Sequence, residues 1–407
     1  MVSCWATPRL FGPIRAEPLH VVRAGRMVAS CVRHYTVAVN SLRETIVREI
    51  GERGAIPFSR YMELCLYDPE HGYYARHAGQ FGKAGDFYTA SDVHAVFGRL
   101  LARQFDEMWR TLGRPETIEL RELGPGRGLF ARDVLDWSCK KFPAFFEAVH
   151  YRLAECSPAL RERLRQTLGS YMEAGKASLC AAADAASAVI VFANEFFDAL
   201  PVEIMSAEGA LRVSTGGGRL LETWVAASGE EQEFLERFSV PPDGRERLEV
   251  PLLAQRSMAA IAGSIERGFL IAIDYGYTKA EQEAGRHRGT LMTYRRHAAG
   301  VNPYEAPGEQ DITAHVNFTA LAAAAEKNGM QVEGLVTQSQ FLMGIGEANQ
   351  FADAFEEARL PQERAKVALQ LKHLVTPAGM GESFHVLIAS KGVEAAGLSG
   401  LSFQAML

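Results

Sequence analysis

Apolar runs and helical patterns alternate along most of this chain. A strand-like run over residues 118–123 is followed by a helix with apolar side chains on one face, and the same order recurs at 150–154 and 158–168. Two later runs, 188–193 and 268–277, are apolar almost throughout. Continuously apolar strands that alternate with helices are typical of a parallel sheet covered on both faces. The pattern therefore predicts an α/β, doubly wound fold.

Further elements extend this core on both sides. Apolar residues at helical spacing predict a helix over 41–53 and a helical unit that continues to about residue 112. Short strand-like runs surround three glycines at 216–218, which predicts a β-hairpin insertion at about 203–250 that covers the site or holds a partner. The main domain is then expected over 113–391 and a tail over 392–407.

Two parts of this pattern are harder to interpret. Residues 169–187 are rich in alanine, and their pattern predicts no strand. Near the end of the chain the spacing predicts helices over 348–359 and 361–374, followed by a terminal strand over 384–389.

Composition narrows the class of protein. The 407 residues are 47% hydrophobic and 23% charged, enough to bury a large core in one elaborated domain or two. No apolar run reaches the roughly 18 residues that a membrane-spanning helix needs, so no membrane span is expected. The net charge of −6 gives no basic footprint for nucleic acid. Six dispersed cysteines without a C-x-x-C pair favour a reducing compartment and no metal site.

The first 40 residues differ from the rest, since they are rich in arginine and contain a single acid, Glu17. Such a leader is similar to a mitochondrial transit peptide, which would place the protein in the matrix. A bacterial reading frame taken from a start codon upstream of the true one, with Met27 as the real start, explains it as well and implies a cytoplasmic protein. Few serines and three prolines favour the second interpretation. In both cases we expect this leader to be disordered.

A glycine-rich turn after the first strand is the strongest chemical signal. Its pattern is E-x-G-x-G-x-G, formed by Glu122, Gly124, Gly126 and Gly128 with Pro125 between the first two glycines. A dinucleotide fingerprint needs a glycine three residues after Gly126, where this chain has leucine. An acid at the end of the strand suits a cation, and S-adenosylmethionine carries an ammonium and a sulfonium but no phosphate. We expect these five residues to bind it; the alternative is a βα turn without a ligand.

Three further acids and an amide are candidates for the same site. Glu155 ends the second strand, where an acid can accept both ribose hydroxyls, although it also suits the start of the next helix. Asn194 and Glu195 directly follow a buried strand and should face the transferred methyl group, unless they merely cap the next element. Asp86 lies in a glycine-rich loop over 82–91 that is either a lid over the cofactor or a surface connection.

Seven short runs occur in a recognisable order between about residues 41 and 391. They are YM at 61–62, LYDPEHGYY at 66–74, GDF at 85–87, ELGPGRG at 122–128, ANEFFDALPV at 193–202, IDYG at 273–276 and DITAHV at 311–316. This combination resembles the MidA family, which is typified by a mitochondrial complex I assembly factor with protein arginine methyltransferase activity.

The resemblance implies a class I methyltransferase fold, a Rossmann-like seven-stranded sheet whose last strand is antiparallel. It implies S-adenosylmethionine as methyl donor and symmetric dimethylation of an arginine on the 49-kilodalton-type subunit of complex I. The sequence departs from the expected pattern at two places: Arg121 stands where a strand should be apolar, and the third strand is hard to align.

Arginine methylation needs carboxylates that hold a guanidinium bidentately and present one nitrogen to the methyl group. Glu195 and Glu203 flank the F-F-D-A-L-P loop as a loose analogue of the acidic pair of arginine methyltransferases, with Glu195 the stronger candidate. His315 is a candidate to accept a proton or orient this clamp, although a lone histidine before an apolar helix is more often structural.

Other functions share these features. A methyltransferase for another protein or for a small molecule would have the same cofactor site. A non-catalytic complex I assembly scaffold would bind its client through the N-terminal unit and the hairpin, and would tolerate loss of the glycine turn. A dinucleotide oxidoreductase is disfavoured by the glycine spacing.

Overall fold

The computed structural model of the chain describes residues 42–76, 95–182, 184, 187–295, 298–300, 302–395 and 397–403. The predicted leader and the loop with Asp86 lie outside the described residues. The strands are β1 (Ile56–Pro57), β2 (Ile118–Leu123), β3 (Val149–Ala154), β4 (Ala177–Cys180), β5 (Val189–Asn194), β6 (Glu203–Ser206), β7 (Gly209–Gly216), β8 (Arg219–Val225), β9 (Leu248–Val250), β10 (Gly268–Tyr277), β11 (Met292–Arg295), β12 (Ala298–Gly300), β13 (Asp311–Thr313), β14 (Val316–Asn317), β15 (Gln331–Thr337) and β16 (Phe384–Lys391).

The helices connect these strands and cover the main sheet. They are α1 (Leu42–Arg53), α2 (Phe58–Tyr67), α3 (Tyr73–Arg76), α4 (Ala95–Thr111), α5 (Leu129–Lys141), α6 (Pro143–Ala148), α7 (Pro158–Glu173), α8 (Gly229–Phe238), α9 (Leu252–Ser264), α10 (Lys279–Glu283), α11 (Phe318–Lys327), α12 (Gln338–Glu347), α13 (Ala352–Phe355) and α14 (Pro361–Val375). None of these helices is long and apolar enough to span a bilayer.

In the described part of the chain the main sheet has eight strands, seven of which lie in the order β4-β3-β2-β5-β10-β16-β15. Neighbours from β4 to β10 are parallel, whereas β16, the last strand of the chain, runs antiparallel to both β10 and β15. The short strand β14 pairs with the end of β10. The predicted α/β fold is confirmed, and β14 adds a short eighth strand to the expected seven.

The third strand of this sheet is β4, in the region where the sequence pattern predicts no strand. It has only four residues and pairs with β3 alone, at the edge of the sheet. Three of its four side chains are only partly buried. An edge strand needs no continuous apolar run, and this explains why its pattern is weak.

Helices bury both faces of the main sheet. On one face α4 and α5 pack through aromatic rings, and the ring of Phe130 stacks on that of Phe192 in β5 with centroids 4.7 Å apart. On the other face α9 and α11 contribute side chains such as Met258 and Leu321 to a second cluster. The predicted helix over 348–359 is wrong: the chain forms only α13 there, because Gln350 and Phe351 adopt left-handed φ angles of 55° and 57° that interrupt a helix.

Arg121, which departs from the expected apolar pattern of β2, is fully buried. Its guanidinium pairs with Glu119 at 2.6 Å and donates hydrogen bonds to the Ala182 carbonyl at 3.0 Å and the Ser264 hydroxyl at 3.3 Å. A buried arginine is tolerated where its charge is paired and most of its donors are used; here Nε and Nη1 donate, whereas Nη2 has no hydrogen-bond partner among the described residues. The residue therefore links β2 to neighbouring segments without disturbing the sheet.

The insertion is larger than a hairpin. Strands β7 and β8 form the predicted hairpin, whose turn at Gly217 and Gly218 has φ angles of 56° and 75°, but β6, β9 and the N-terminal β1 extend it to a five-stranded sheet. Apolar side chains of α1 and α2 pack on this sheet. At the other end of the chain, Ser399 donates to Glu107 of α4, so residues 397–403 contact the main domain.

Candidate active site

A cavity of about 300 Å³ opens where strands β2, β3 and β5 end. Its walls come from the turn after β2, the segment 155–160 after β3, the segment 194–199 after β5, strand β13, and the α2–α3 region over 66–75. Ligands bind beyond the carboxyl ends of the strands in open α/β sheets, and this cavity lies at that edge. It is therefore the candidate active site.

The glycine turn lines the cavity, although its glycines have different roles. Gly124, Pro125 and Gly126 form part of the wall. Gly126 has φ of 52°, and a side-chain carbon built on it would meet no atom within 4 Å, so the turn leaves open space at this position. Gly128 faces away from the cavity, and a carbon built on it would lie 2.8 Å from Leu164 of α7. It packs the turn closely on a helix and is not part of the cavity wall, and its predicted role in binding stays a prediction.

Glu122 is the last residue but one of β2, and it lines the cavity. Its side chain accepts a hydrogen bond from the Tyr151 hydroxyl at 2.9 Å, and the residue is 5% exposed. Burial raises the pKa of this carboxyl to about 8, while the hydrogen bond opposes the shift. The carboxyl is thus a buried acid that a cationic ligand would ionise.

Glu155 follows β3 on the neighbouring wall. It accepts a hydrogen bond from the Ser157 backbone N–H at 2.7 Å and is 7% exposed. Burial raises its pKa to about 7, against the effect of nearby backbone donors. Its position at the end of the second strand is the one predicted for a ribose ligand.

Asn194 and Glu195 both line the cavity at the end of β5. The Asn194 side-chain amide donates to Glu195 Oε1 at 3.1 Å, and the Glu195 backbone N–H donates to the Ile273 carbonyl at 3.0 Å. Glu195 has φ of 49°, a left-handed conformation that is uncommon for glutamate. Such strained residues cluster at functional sites, where the surrounding structure holds them in place.

Asp274 of β10 fixes the loop that follows β5, a role that sequence reasoning missed. Its Oδ2 accepts hydrogen bonds from three successive backbone N–H groups, those of Phe196 at 3.2 Å, Phe197 at 2.9 Å and Asp198 at 3.3 Å. Burial and the nearby charge of Glu195 raise the pKa of Asp274 to about 8. The feature of the sequence that could have indicated this role is an acid near the end of an otherwise apolar strand.

Two further acids lie on the cavity wall, in addition to Asp68 of the α2–α3 region. Asp198 and Asp311 are each 5% exposed and both line the cavity. The Tyr74 hydroxyl donates to Asp311 Oδ1 at 3.4 Å, and the Tyr67 hydroxyl donates to the Ala199 carbonyl at 2.9 Å. Glu195, Asp198 and Asp311 therefore form an acidic region beside two tyrosines. Arg127 is the only lysine or arginine among the described residues of this wall.

Glu203 is not brought into this cavity. It accepts a hydrogen bond from the Ser59 hydroxyl and lies 3.5 Å from the Arg212 guanidinium, in a separate surface depression. The expected pair of Glu195 and Glu203 around one guanidinium is therefore not formed.

His315 is also absent from the cavity wall described by the structure. Its ring lies against Tyr275, with centroids 6.2 Å apart, and its Nδ1 is 3.3 Å from that of His287. Burial and the neighbouring histidines lower its pKa to about 4. This environment agrees with the structural alternative for His315 and not with a proton acceptor at the cofactor.

The fold and this cavity define a class I S-adenosylmethionine-dependent methyltransferase. A crystal structure of a COG1565 superfamily protein from Burkholderia thailandensis, bound to S-adenosyl-homocysteine, superposes with a TM-score of 0.77 at 30% identity over 89% of this chain and 94% of that one. Residues 100–336 match a family model described as "Putative S-adenosyl-L-methionine-dependent methyltransferase". The chain belongs to the MidA family of these enzymes.

Two relatives illustrate the extent of this similarity. The Drosophila melanogaster protein arginine methyltransferase NDUFAF7 homolog is 31% identical over 88% of this chain and 86% of its own length. The human protein arginine methyltransferase NDUFAF7 is 25% identical over 85% of this chain and 82% of its own length. Both are described as mitochondrial.

The residues of the cavity fit S-adenosylmethionine. When bound, this cofactor supplies a methyl group on a positively charged sulfur. Open space at Gly126 admits a ligand close to the backbone, and the buried carboxyls of Glu122 and Glu155 accept hydrogen bonds from a tyrosine hydroxyl and a backbone N–H. A cation and ribose hydroxyls satisfy such groups. Together with Gly124, Pro125 and Asn194, these residues would hold the cofactor.

Binding of S-adenosylmethionine at neutral pH is expected to release about one proton. The reason is that burial gives Glu122 a pKa of about 8, so it is mostly protonated, whereas the cation favours the carboxylate. Calorimetry in phosphate and in Tris at the same pH measures the release as a buffer-dependent enthalpy. Glu122→Gln should release fewer protons, and identical enthalpies in both buffers for the wild-type chain would contradict the assignment.

Proposed function

We propose that this chain transfers methyl groups to arginine side chains of a protein. The observation that supports this most directly is the acidic region of Glu195, Asp198 and Asp311 at the cavity wall. A guanidinium stays charged at neutral pH and presents five N–H donors, so several carboxylates in one partly enclosed site suit it well.

Glu195, Asn194 and Asp274 have different roles in aligning the guanidinium with the methyl group. Glu195 clamps the guanidinium, and Asn194 supports it through the 3.1 Å hydrogen bond to Glu195 Oε1. Asp274 holds the loop between these residues and Asp198 through its three backbone hydrogen bonds. Methyl transfer is an in-line displacement, so correct positioning supplies much of the rate enhancement.

The acceptor follows from the family resemblance. We infer symmetric dimethylation of an arginine on the 49-kilodalton-type subunit of complex I, in support of complex I assembly. The names of the relatives as protein arginine methyltransferases favour a protein acceptor over a small molecule.

The test is transfer from methyl-labelled S-adenosylmethionine to the purified 49-kilodalton-type subunit, followed by mass spectrometry of arginine-containing peptides. We expect dimethylarginine that loses monomethylamine on fragmentation, as the symmetric isomer does. A labelled protein other than this subunit would favour a different acceptor. Cofactor binding without labelling of any protein would favour a small-molecule methyltransferase or a non-catalytic scaffold.

A further inference from the structure

We propose that Asp198 is the catalytic group that accepts the proton which the guanidinium loses during methyl transfer. This inference rests on the proposed arginine methyltransferase activity. The transfer forms one N–C bond on the guanidinium and breaks one C–S bond of the methyl donor, whose electron pair stays on sulfur. One excess proton then remains on the methylated nitrogen, and it passes to Asp198 Oδ1 and from there to water.

The backbone holds Asp198 at the cavity wall from both sides. Its N–H donates to Asp274 at 3.3 Å, and its carbonyl accepts from the Ala314 N–H at 3.1 Å. Asp274 belongs to the central sheet, and Ala314 follows strand β13, which also lines the cavity. The position of Asp198 is therefore determined by two elements that also shape the site.

Five other cavity acids accept hydrogen bonds from protein donors. The donors are the Glu70 and His71 N–H groups for Asp68, Tyr151 for Glu122, the Ser157 N–H for Glu155, Asn194 for Glu195, and Tyr74 with the Ile312 N–H for Asp311. The backbone N–H of Ala199 faces the Asp198 carboxylate. The Oδ1 atom of Asp198, however, is buried and has no hydrogen-bond partner among the described residues. A buried acceptor of this kind is costly unless a ligand satisfies it.

The surroundings make this carboxylate an effective base. Burial and the negative charges of Asp274 and Asp311 raise the pKa of Asp198 well above its usual value. The other titratable groups that face it are Glu195 and the hydroxyls of Tyr67, Tyr74, Tyr275 and Tyr294. A base is most effective when its pKa lies near the working pH, and a bound guanidinium keeps it ionised.

The test uses Asp198→Asn in the full chain, with saturating S-adenosylmethionine and the 49-kilodalton-type subunit as acceptor. We expect the single-turnover rate to fall by at least about 100-fold, the loss typical of a missing general base. Affinity for S-adenosylmethionine should change by less than about threefold. The wild-type rate should rise with pH through one ionisation, and this dependence should disappear in the variant.

Two further variants separate proton transfer from binding and from folding. Asp311→Asn removes a neighbouring charge, so it should weaken acceptor binding yet keep the rise of rate with pH. Asp198→Glu retains a carboxylate and should recover part of the rate that Asp198→Asn loses. Equal losses in both Asp198 variants would overturn the proposal, because the loop geometry and not the carboxylate would then be responsible.

The two proposals fail in different ways. An Asp198→Asn variant that keeps the wild-type rate, or a slow variant that keeps the wild-type pH profile, overturns the role of Asp198 alone. A wild-type chain that binds S-adenosylmethionine but methylates no arginine overturns the arginine methyltransferase activity and the role of Asp198 together.

Discussion

Replacing Glu195 by Gln is expected to lower methyl transfer to arginine by about 100- to 1,000-fold while cofactor affinity stays nearly unchanged. Glutamine has the size of glutamate and keeps the oxygen that accepts the Asn194 amide at 3.1 Å. It should also tolerate the left-handed φ of 49° as well as glutamate does. The substitution therefore removes the negative charge and leaves the loop in place.

The size of this effect follows from the environment of the guanidinium. A charge-assisted, bidentate pair in a partly enclosed site is stronger than a neutral hydrogen bond, and its loss leaves a cation without compensation. Single-turnover rates with labelled cofactor measure transfer, and calorimetric titration measures cofactor binding. If Glu195→Gln lost cofactor affinity instead, Glu195 would belong to the cofactor site and not to the acceptor site.

Glu203→Gln provides the matched comparison. This carboxylate interacts with Ser59 and Arg212 in a depression outside the cavity, so the same chemical change should alter the rate by less than about threefold. A loss in Glu203→Gln as large as that in Glu195→Gln would show that both acids act on the guanidinium, as their positions on either side of the loop first indicate.

Replacing Gly126 by Val is expected to weaken S-adenosylmethionine binding by at least about 100-fold, which corresponds to about 3 kcal/mol. Gly126 lines the cavity, and a side chain there would extend into open space that a ligand needs. Valine also resists the left-handed φ of 52° at this position, so the turn itself would be strained. Calorimetric titration with S-adenosylmethionine, and separately with NADH, measures the loss and tests the choice of cofactor.

The variant Gly113→Val distinguishes the two causes of weaker binding, which are loss of ligand space and backbone strain. Gly113 has a left-handed φ of 82° and open space around it, but it lies between α4 and β2 and does not line the cavity. Gly113→Val should introduce the same backbone strain as Gly126→Val and should lower the thermal stability. It should nevertheless retain the affinity for S-adenosylmethionine. Comparable loss of affinity in both variants would assign the effect to destabilisation, and NADH binding to the wild-type chain would revive the oxidoreductase alternative.

The parallel core of the fold was predictable because its signals are local. Continuous apolar runs mark β5 and β10 as strands buried on both faces, and no other arrangement satisfies such runs in a chain that alternates strands with helices. Strand β4 was not predicted, because an edge strand with partly exposed side chains has no continuous apolar run. The helix over 348–359 was wrong because side-chain spacing does not reveal a left-handed residue.

The candidate site was predictable only in part. Glu122 lies at the end of a strand, and Glu155 and the glycine turn follow strands directly, so their place at one edge of the sheet follows from the topology of parallel strands. Asp274 and Asp311 come from distant parts of the chain, and nothing in their local sequence states which backbone donors or hydroxyls they meet. Glu203 shows the reverse case, because it is close to the loop in sequence but interacts elsewhere.

The sequence by itself determined which segments form the buried parallel strands. It also determined the glycine turn with its acid, and therefore the methyl donor, since these depend on spacing along one short segment. Tertiary structure decided which acids converge on the cavity and which are satisfied outside it. The physical reason is that burial and hydrogen-bond partners set the chemistry of a carboxylate, and both arise only when separate elements pack: Asp274 on the loop after β5, Asp311 beside Tyr74, and Asp198 with one buried oxygen left for a ligand.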